Sequence, residues 1–241
     1  MEEGLYRRFF DIEERHWWFV ARQTIVEDFI QRRLDVPRGA DVLDVGCGTG
    51  AILKMLTVRY EAYGTDTSEL AIEYCRRRGL TNAFRCTLDS FPRPELRFDL
   101  ITALDVIEHI DDDLAVVRKA SEFLKPSGAL LVTVPAYQFL WSAHDELNHH
   151  KRRYVKSRLR RVLVNAGLNV ETVSYFNTLL FPLALIKRLT EKLLKLQSDE
   201  LALPSPMLNG VLQHIFASER IPLRTISFPF GLSLIAVGRK V

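Results

Sequence analysis

A strand that ends in glycines constrains this chain more than any other stretch. Val42-Leu43-Asp44-Val45 is apolar enough for a buried strand, and it runs straight into Gly46-Cys47-Gly48-Thr49-Gly50 before an amphipathic segment from Ala51. Glycines at alternate positions let the backbone turn sharply and approach a ligand at the carboxyl end of a strand, where open α/β sheets bind ligands. Three glycines in five residues exceed what turning alone requires. The unit therefore reads as strand, ligand loop and helix, and it implies a parallel sheet.

The pattern downstream agrees. Short apolar runs alternate with amphipathic segments, which is the signature of βαβ units. Strands are expected near 41–45, 62–65, 83–86, 99–104, 129–134, 168–175 and 231–240. Helices are expected near 51–58, 68–78, 112–124 and 155–166. Ser68 is a natural N-cap and Gly79 a natural stop for the second of these. Asp111-Asp112-Asp113 places negative charge where the third begins. Before the first strand, Leu5, Phe9, Ile12 and the run Trp17 to Ile30 recur at helical spacing until Pro37-Arg38-Gly39. Residues 136–155 are rich in aromatics and histidines and read as a loop over the sheet edge. Residues 177–230 hold two helical stretches around Pro204-Ser205-Pro206. The expected fold is α/β: a Rossmann-like, seven-stranded, mostly parallel sheet with helices on both faces. Residues 1–36 form an N-terminal helical lid, 37–176 and 231–241 the core, and 177–230 a helical insertion before the last strand.

Composition narrows the function classes. A formal net charge of +3 over 241 residues does not argue for a nucleic-acid partner, and none is expected. The three cysteines, Cys47, Cys75 and Cys86, lack CxxC spacing, which points to reduced thiols, a cytoplasmic setting and no structural zinc. The run from Thr178 to Ile186 is too short to span a bilayer.

The glycine loop by itself admits two cofactors, because Gly46 to Ala51 also fits the dinucleotide fingerprint GxGxxG/A, with Asp66 spaced to meet a ribose. The ordered blocks separate them. VLDVGCGTG, then Tyr63-Gly64-Thr65-Asp66, Phe98-Asp99-Leu100-Ile101 and Leu124-Lys125-Pro126-Ser127-Gly128-Ala129-Leu130 together resemble the motifs of class I S-adenosylmethionine-dependent methyltransferases. That resemblance implies roles. Asp44 would orient the amino-acid end of the cofactor, and Gly46, Cys47, Gly48 and Gly50 would shape its loop. Asp66 would accept the ribose hydroxyls, and Thr67 would sit beside the adenine. The usual acidic residue before a Leu-Pro pair is displaced here, so Leu88 by backbone and Asp89 by side chain are the adenine candidates. The other expectations are a nicotinamide-dependent oxidoreductase, or a silent cofactor-binding partner.

Three clusters bear on the acceptor. Asp105-Val106-Ile107-Glu108-His109 follows the fourth strand. Asp105 is read as cofactor-facing pocket wall and His109 as a catalytic candidate. Asp-x-x-Glu-His also resembles the metal motif of ubiquinone-pathway O-methyltransferases and small-RNA 2′-O-methyltransferases, suited to Mg²⁺ or Mn²⁺. The wall reading is preferred, and no metal ligand is assigned. In the stretch 141–154, His144 and His149 are candidate bases, titratable near neutrality. Trp141, Arg152, Arg153 and Tyr154 are candidate substrate contacts, the arginines for a phosphate or carboxylate. At the N-terminus, His16-Trp17-Trp18-Phe19 precedes Arg22. Adjacent tryptophans cannot share a helix face, so Trp18 is assigned to the cofactor lid and Arg22 to its carboxylate. These HWWF and HxRRY blocks resemble a bacterial and archaeal methyltransferase group that often accompanies cell-surface glycan or lipid biosynthesis.

The insertion is apolar first and basic afterwards from Tyr175 to Leu189. It reads as a helical cover or homodimer contact, or as a peripheral membrane contact through 177–196 at the inner membrane face. The expected reaction is methyl transfer to a hydroxyl of a small or lipid-linked metabolite.

Overall fold

The computed structural model describes residues 3–194 and 201–241. Two helices lead, α1 (Glu3–Ile12) and α2 (Trp17–Asp28), the second continued by a wide turn over Phe29–Arg33. The core then alternates β1 (Asp41–Val45), α3 (Ala51–Thr57), β2 (Glu61–Asp66), α4 (Glu69–Arg77), β3 (Ala83–Arg85), β4 (Phe98–Leu104), α5 (Asp113–Glu122) and β5 (Leu124–Pro135). After β5 come α6 (Ala143–Leu147), α7 (Lys156–Asn165) and β6 (Leu168–Phe176). The insertion carries α8 (Phe181–Leu194), α9 (Pro206–Ser218) and α10 (Arg220–Leu223), and β7 (Ser233–Lys240) closes the chain.

The seven strands form one sheet in the order β3-β2-β1-β4-β5-β7-β6, with β7 antiparallel to both neighbours. Side chains alternate between two cores as the pleat requires. Val42, Leu100 and Leu131 face α2, α3 and α9, with Ile25, Leu53 and Phe216. Leu43, Ile101, Leu130 and Val132 face α5 and α7, with Val117 and Leu163. Strand order reverses between β1 and β4, so their carboxyl ends open the crevice where such sheets take ligands.

Two local expectations change. The strand expected from 129 starts earlier, at Leu124, and takes in Lys125-Pro126-Ser127-Gly128, where its pairing with β4 jumps from Phe98↔Leu124 to Leu100↔Ala129. Stretch 136–155 is not plain loop: it holds a 3₁₀ turn at Gln138–Leu140 and α6. Asp145 organises it, accepting the Ser142 backbone N–H at 2.8 Å. The insertion and the preface form one cover. Phe216 of α9 meets the Trp17 ring edge-on at 6.2 Å and stacks on Phe176 at 5.9 Å. Glu219 accepts the N–H groups of Thr178 and Leu179 at 2.7 and 2.8 Å, which pins the entry to α8.

Candidate active site

β1 delivers Asp44 to the base of the crevice, 2% exposed, where its Oδ1 accepts Thr102 Oγ1 at 2.6 Å. Burial pushes this carboxyl up to about 7, against the Thr102 hydrogen bond and the Arg22 charge. Gly46 follows at φ +68, and any Cβ there would lie 2.5 Å from Val106 Cγ2. Gly48, at φ +53, has open space where a side chain would stand, which is a hollow for a ligand to approach the backbone. Its N–H donates to Asp66 Oδ2 at 3.0 Å, while Ser68 N–H donates to Oδ1 at 2.9 Å. Gly50 works on the fold: a Cβ there would strike Leu80 and Cys75 across α4.

The N-terminal helices are tied to this loop. Glu13, buried in the turn after α1, accepts Thr49 Oγ1 and Arg78 Nη2, each at 2.5 Å, and Arg78 also reaches Glu14. His16 caps α2, and one turn later Arg22 enters the cavity with its guanidinium over the Trp18 ring. The sequence assigned Arg22 to a cofactor carboxylate. Here it pairs with Asp105 Oδ2 at 2.6 Å and donates to Thr133 Oγ1 at 3.2 Å.

Past β4 the chain takes a 3₁₀ turn, Ile107–His109, after Asp105 at φ +58. This turn aims Glu108 and His109 inward. Glu108 is fully buried, and neither of its oxygens has a hydrogen-bond partner among the described residues. Burial, with the Asp105 charge, drives its carboxyl well above the usual range. Burial and the neighbouring His150 push His109 down to about 4. The His109 and His150 rings meet edge-on at 4.6 Å, and one donor atom each from Glu108, His109 and His150 lies within 4.8 Å of the others. His150 Nδ1 lies 2.8 Å from Asp145 Oδ1. A carboxylate accepts, so Nδ1 donates and Nε2 is left as the acceptor nitrogen. Burial opposes ionisation of Asp145, but the His150 and Arg153 hydrogen bonds win and hold it well below the usual range. Arg153 grips both carboxylate oxygens at 2.8 Å.

The cavity has a volume of about 650 Å³. It brings together Trp18, Arg22, Asp44, Gly46, Cys47, Gly48, Asp105, His109 and Arg153 of the sequence-expected residues. The others lie apart. Asp66 and Thr67 stand beyond the loop at the end of β2, Leu88 is buried in the second core, and exposed Asp89 faces Lys119 at 3.5 Å. Arg152 ties to Asp113 at 3.1 Å, and Tyr154 is fully buried with its hydroxyl on Asp113 at 2.7 Å. Neither offers a face to a substrate, because the acid at the start of α5 occupies both. Trp141 does not line the cavity, and the His144 side chain lies outside the described residues. His149 is exposed. Its left-handed backbone, φ +56, reverses the chain after α6 and turns the next residue inward, so His150 takes the place expected of His149. Sequence reasoning gave no role to His150 or Asp145, and it named Glu108 only within the Asp-x-x-Glu-His motif, without assigning it as a ligand. For His150 and Asp145 the available signal was the pair His149-His150 close behind an acid.

Comparison with known proteins follows from this geometry. Residues 18–173 match the family model of a methyltransferase domain. The ubiquinone biosynthesis O-methyltransferase of Chromobacterium violaceum is 28% identical over 167 residues, covering 61% of this chain and 72% of that protein. Its namesake from Xanthomonas oryzae is 27% identical over 191 residues, covering 71% and 80%. The solved S-adenosylmethionine-dependent methyltransferase from Archaeoglobus fulgidus shares the fold at a TM-score of 0.56 and 19% identity, over 90% of this chain and 94% of that one. Magnesium protoporphyrin IX methyltransferase from Synechocystis does so at 0.57 and 13%, over 92% and 85%. The nicotinamide and silent-partner expectations fall away, and the chain belongs to the methyltransferase-domain family as a class I enzyme dependent on S-adenosylmethionine.

Proposed function

We propose that this methyltransferase modifies a hydroxyl of a small or lipid-linked acceptor, beside a divalent cation held by Glu108, His109 and His150. The observation that carries the reading is the donor cluster itself: a buried carboxylate with both oxygens unpartnered among the described residues, within 4.8 Å of two imidazoles, in the same cavity as the glycine loop. One carboxylate and two imidazoles suit Mg²⁺, Mn²⁺ or Zn²⁺, and an ionised Glu108 without a cation would be an unpaired buried charge. The relatives' name, O-methyltransferase, agrees with oxygen as the acceptor atom.

The cofactor pocket also fits its ligand. S-adenosylmethionine supplies an electrophilic methyl on a positively charged sulfur. Asp44 provides a carboxylate for the cofactor's ammonium, and the Gly48 hollow admits its body against the backbone. In our reading Asp66 and Thr67, behind the loop at the end of β2, meet the ribose and adenine end, and Trp18 closes the cavity. A divalent cation lowers the pKa of a hydroxyl that it binds. The protein otherwise offers a weak base: His109, at about 4, holds a proton poorly near neutrality. Asp145 and Arg153 fix the orientation of His150, while Arg22 balances Asp105 and the α2 and α8 walls exclude water. Residues 1–36 and 177–230 act as the cover of a core formed by 37–176 and 231–241. Among the described residues no helix is long and apolar enough to cross a membrane. The three free cysteines favour the cytoplasmic side.

Labelled methyl transfer into a cell extract, with and without EDTA, tests the proposal. Mass spectrometry of the product should find the methyl on oxygen, and EDTA should suppress its formation. Undiminished transfer in EDTA to a nitrogen or carbon acceptor would refute it.

A further inference from the structure

Two helix faces beside the cavity mouth are left bare. α9 carries no Asp, Glu, Lys or Arg over its whole length. Its inner side buries Phe216 and Ala217, while Met207, Val211 and Ile215, spaced four apart, point to solvent. α8 repeats the arrangement: Leu183, Ile186 and Leu189, spaced three apart, are each more than half exposed. Apolar residues scattered singly on a surface need no explanation, but two stripes on helices that border one opening do.

Position narrows the occupant. Leu183 of α8 and Leu208 of α9 line the cavity, and both are also at least half exposed, so they form its lip. Inside the lip the wall carries Leu180, Leu201, Pro204 and Leu212 beside the polar Asn177, Lys187 and Arg188, and Asp105 and Glu108 also line it. A second copy of the chain seated on these stripes would cover the lip and block entry. A lipid surface would not, because it is itself a source of apolar chains. Charge points the same way. Lys187 and Arg188 of α8 line the cavity; Lys187, half exposed, pairs with the helix's one acid, Glu191, at 3.6 Å, and Arg188 donates to the Leu140 carbonyl at 2.6 Å. Apolar residues flanked by cations are the composition of a helix lying at an anionic interface. α8, at 14 residues, is too short to cross a bilayer.

We propose that the outer faces of α8 and α9 dock on an anionic membrane surface, so that the cavity opens into the lipid and admits an acceptor whose apolar tail lies between the two helices. The identity of the acceptor rests on the methyl-transfer reading above; the docking surface does not.

Vesicle co-sedimentation tests it with the full-length chain. The probes are phosphatidylcholine vesicles with and without phosphatidylglycerol, and the variant is I186E/M207E/V211E, three exposed residues that do not line the cavity. The wild type should sediment with the anionic vesicles and poorly with the neutral ones. The triple variant should lose at least about tenfold in partitioning while it binds S-adenosylhomocysteine as the wild type does. Sedimentation equilibrium without lipid separates the competing occupant. A dimer that the triple variant dissociates, with no vesicle binding by the wild type, overturns the proposal in favour of self-association. A variant that still binds vesicles fully, or a monomeric wild type that never binds them, also overturns it. Vesicle binding by a wild type that binds no S-adenosylhomocysteine would leave the surface standing and sink the functional reading instead.

Discussion

Asp44 is a carboxyl that the fold holds partly protonated near neutrality, and the substitution Asp44→Asn exposes the cost. The ordinary value for this group is 3.8, and burial at the end of β1 raises it to about 7. Between those values the folded protein keeps a proton that the unfolded chain has released, so this site's contribution to stability falls as pH rises and levels off above about pH 7. Each pH unit is worth about 1.4 kcal/mol. From pH 5 to pH 7, about two units, the cofactor-free wild type therefore loses about 3 kcal/mol that D44N keeps. Asn preserves the shape and can still accept the Thr102 hydroxyl. Urea unfolding of both proteins without cofactor, at pH 5 and pH 8, reads the difference. D44N should gain on the wild type by about 3 kcal/mol between the two, since other titrating groups cancel in the comparison. The same variant should bind S-adenosylhomocysteine about 10- to 100-fold more weakly, having lost a charged partner for the ammonium. A stability difference that stays constant from pH 5 to pH 8, or undiminished binding by D44N, would refute the assignment.

Other substitutions probe the remaining parts. Glu108→Gln should weaken Mn²⁺ binding, followed by calorimetry, by about a hundredfold or more, and equal affinity would remove the cation from the site. Asp145→Asn should weaken the same binding about 10- to 100-fold by loosening His150. It should also cost about 3–5 kcal/mol in thermal or urea unfolding, because Arg153 then stays buried without its counter-charge. Glu13→Gln should release the lid from Thr49 and Arg78 and speed S-adenosylhomocysteine dissociation about fivefold in stopped flow, equivalent to about 1 kcal/mol. At Gly231 a Cβ would sit 2.4 Å from the Phe176 carbonyl oxygen, so Gly231→Ala should destabilise by about 1–3 kcal/mol; a melting curve like the wild type's would show that the backbone can yield there.

The sheet was legible because its information is local. Each strand carries its own apolar period, and two helices of the core carry their own caps, Ser68 accepting from Ala71 N–H and Asp112 from Ala115 N–H. The glycines after Asp44 likewise declare their loop, since glycine adopts backbone at positive φ without the cost that other residues meet there. With the ordered blocks that follow, those residues alone determined the fold and the methyl donor. The acceptor site was different in kind. Nothing in the identities of His149 and His150 says which faces inward; a left-handed residue after α6 decides that, together with the Asp145–Arg153 pair, which claims one ring nitrogen of His150. Arg152 and Tyr154 resembled ligand contacts until Asp113, about forty positions away in the chain, was found to occupy them. Glu108 stood in the sequence as part of a motif with two readings, and the metal reading gained weight only when burial left its oxygens without partners among the described residues, beside two imidazoles. Sequence by itself thus determined the donor half of this protein, because that half is written in consecutive residues. Only the tertiary structure assembled the candidate acceptor half, because burial and charge pairing arise between segments far apart in the chain.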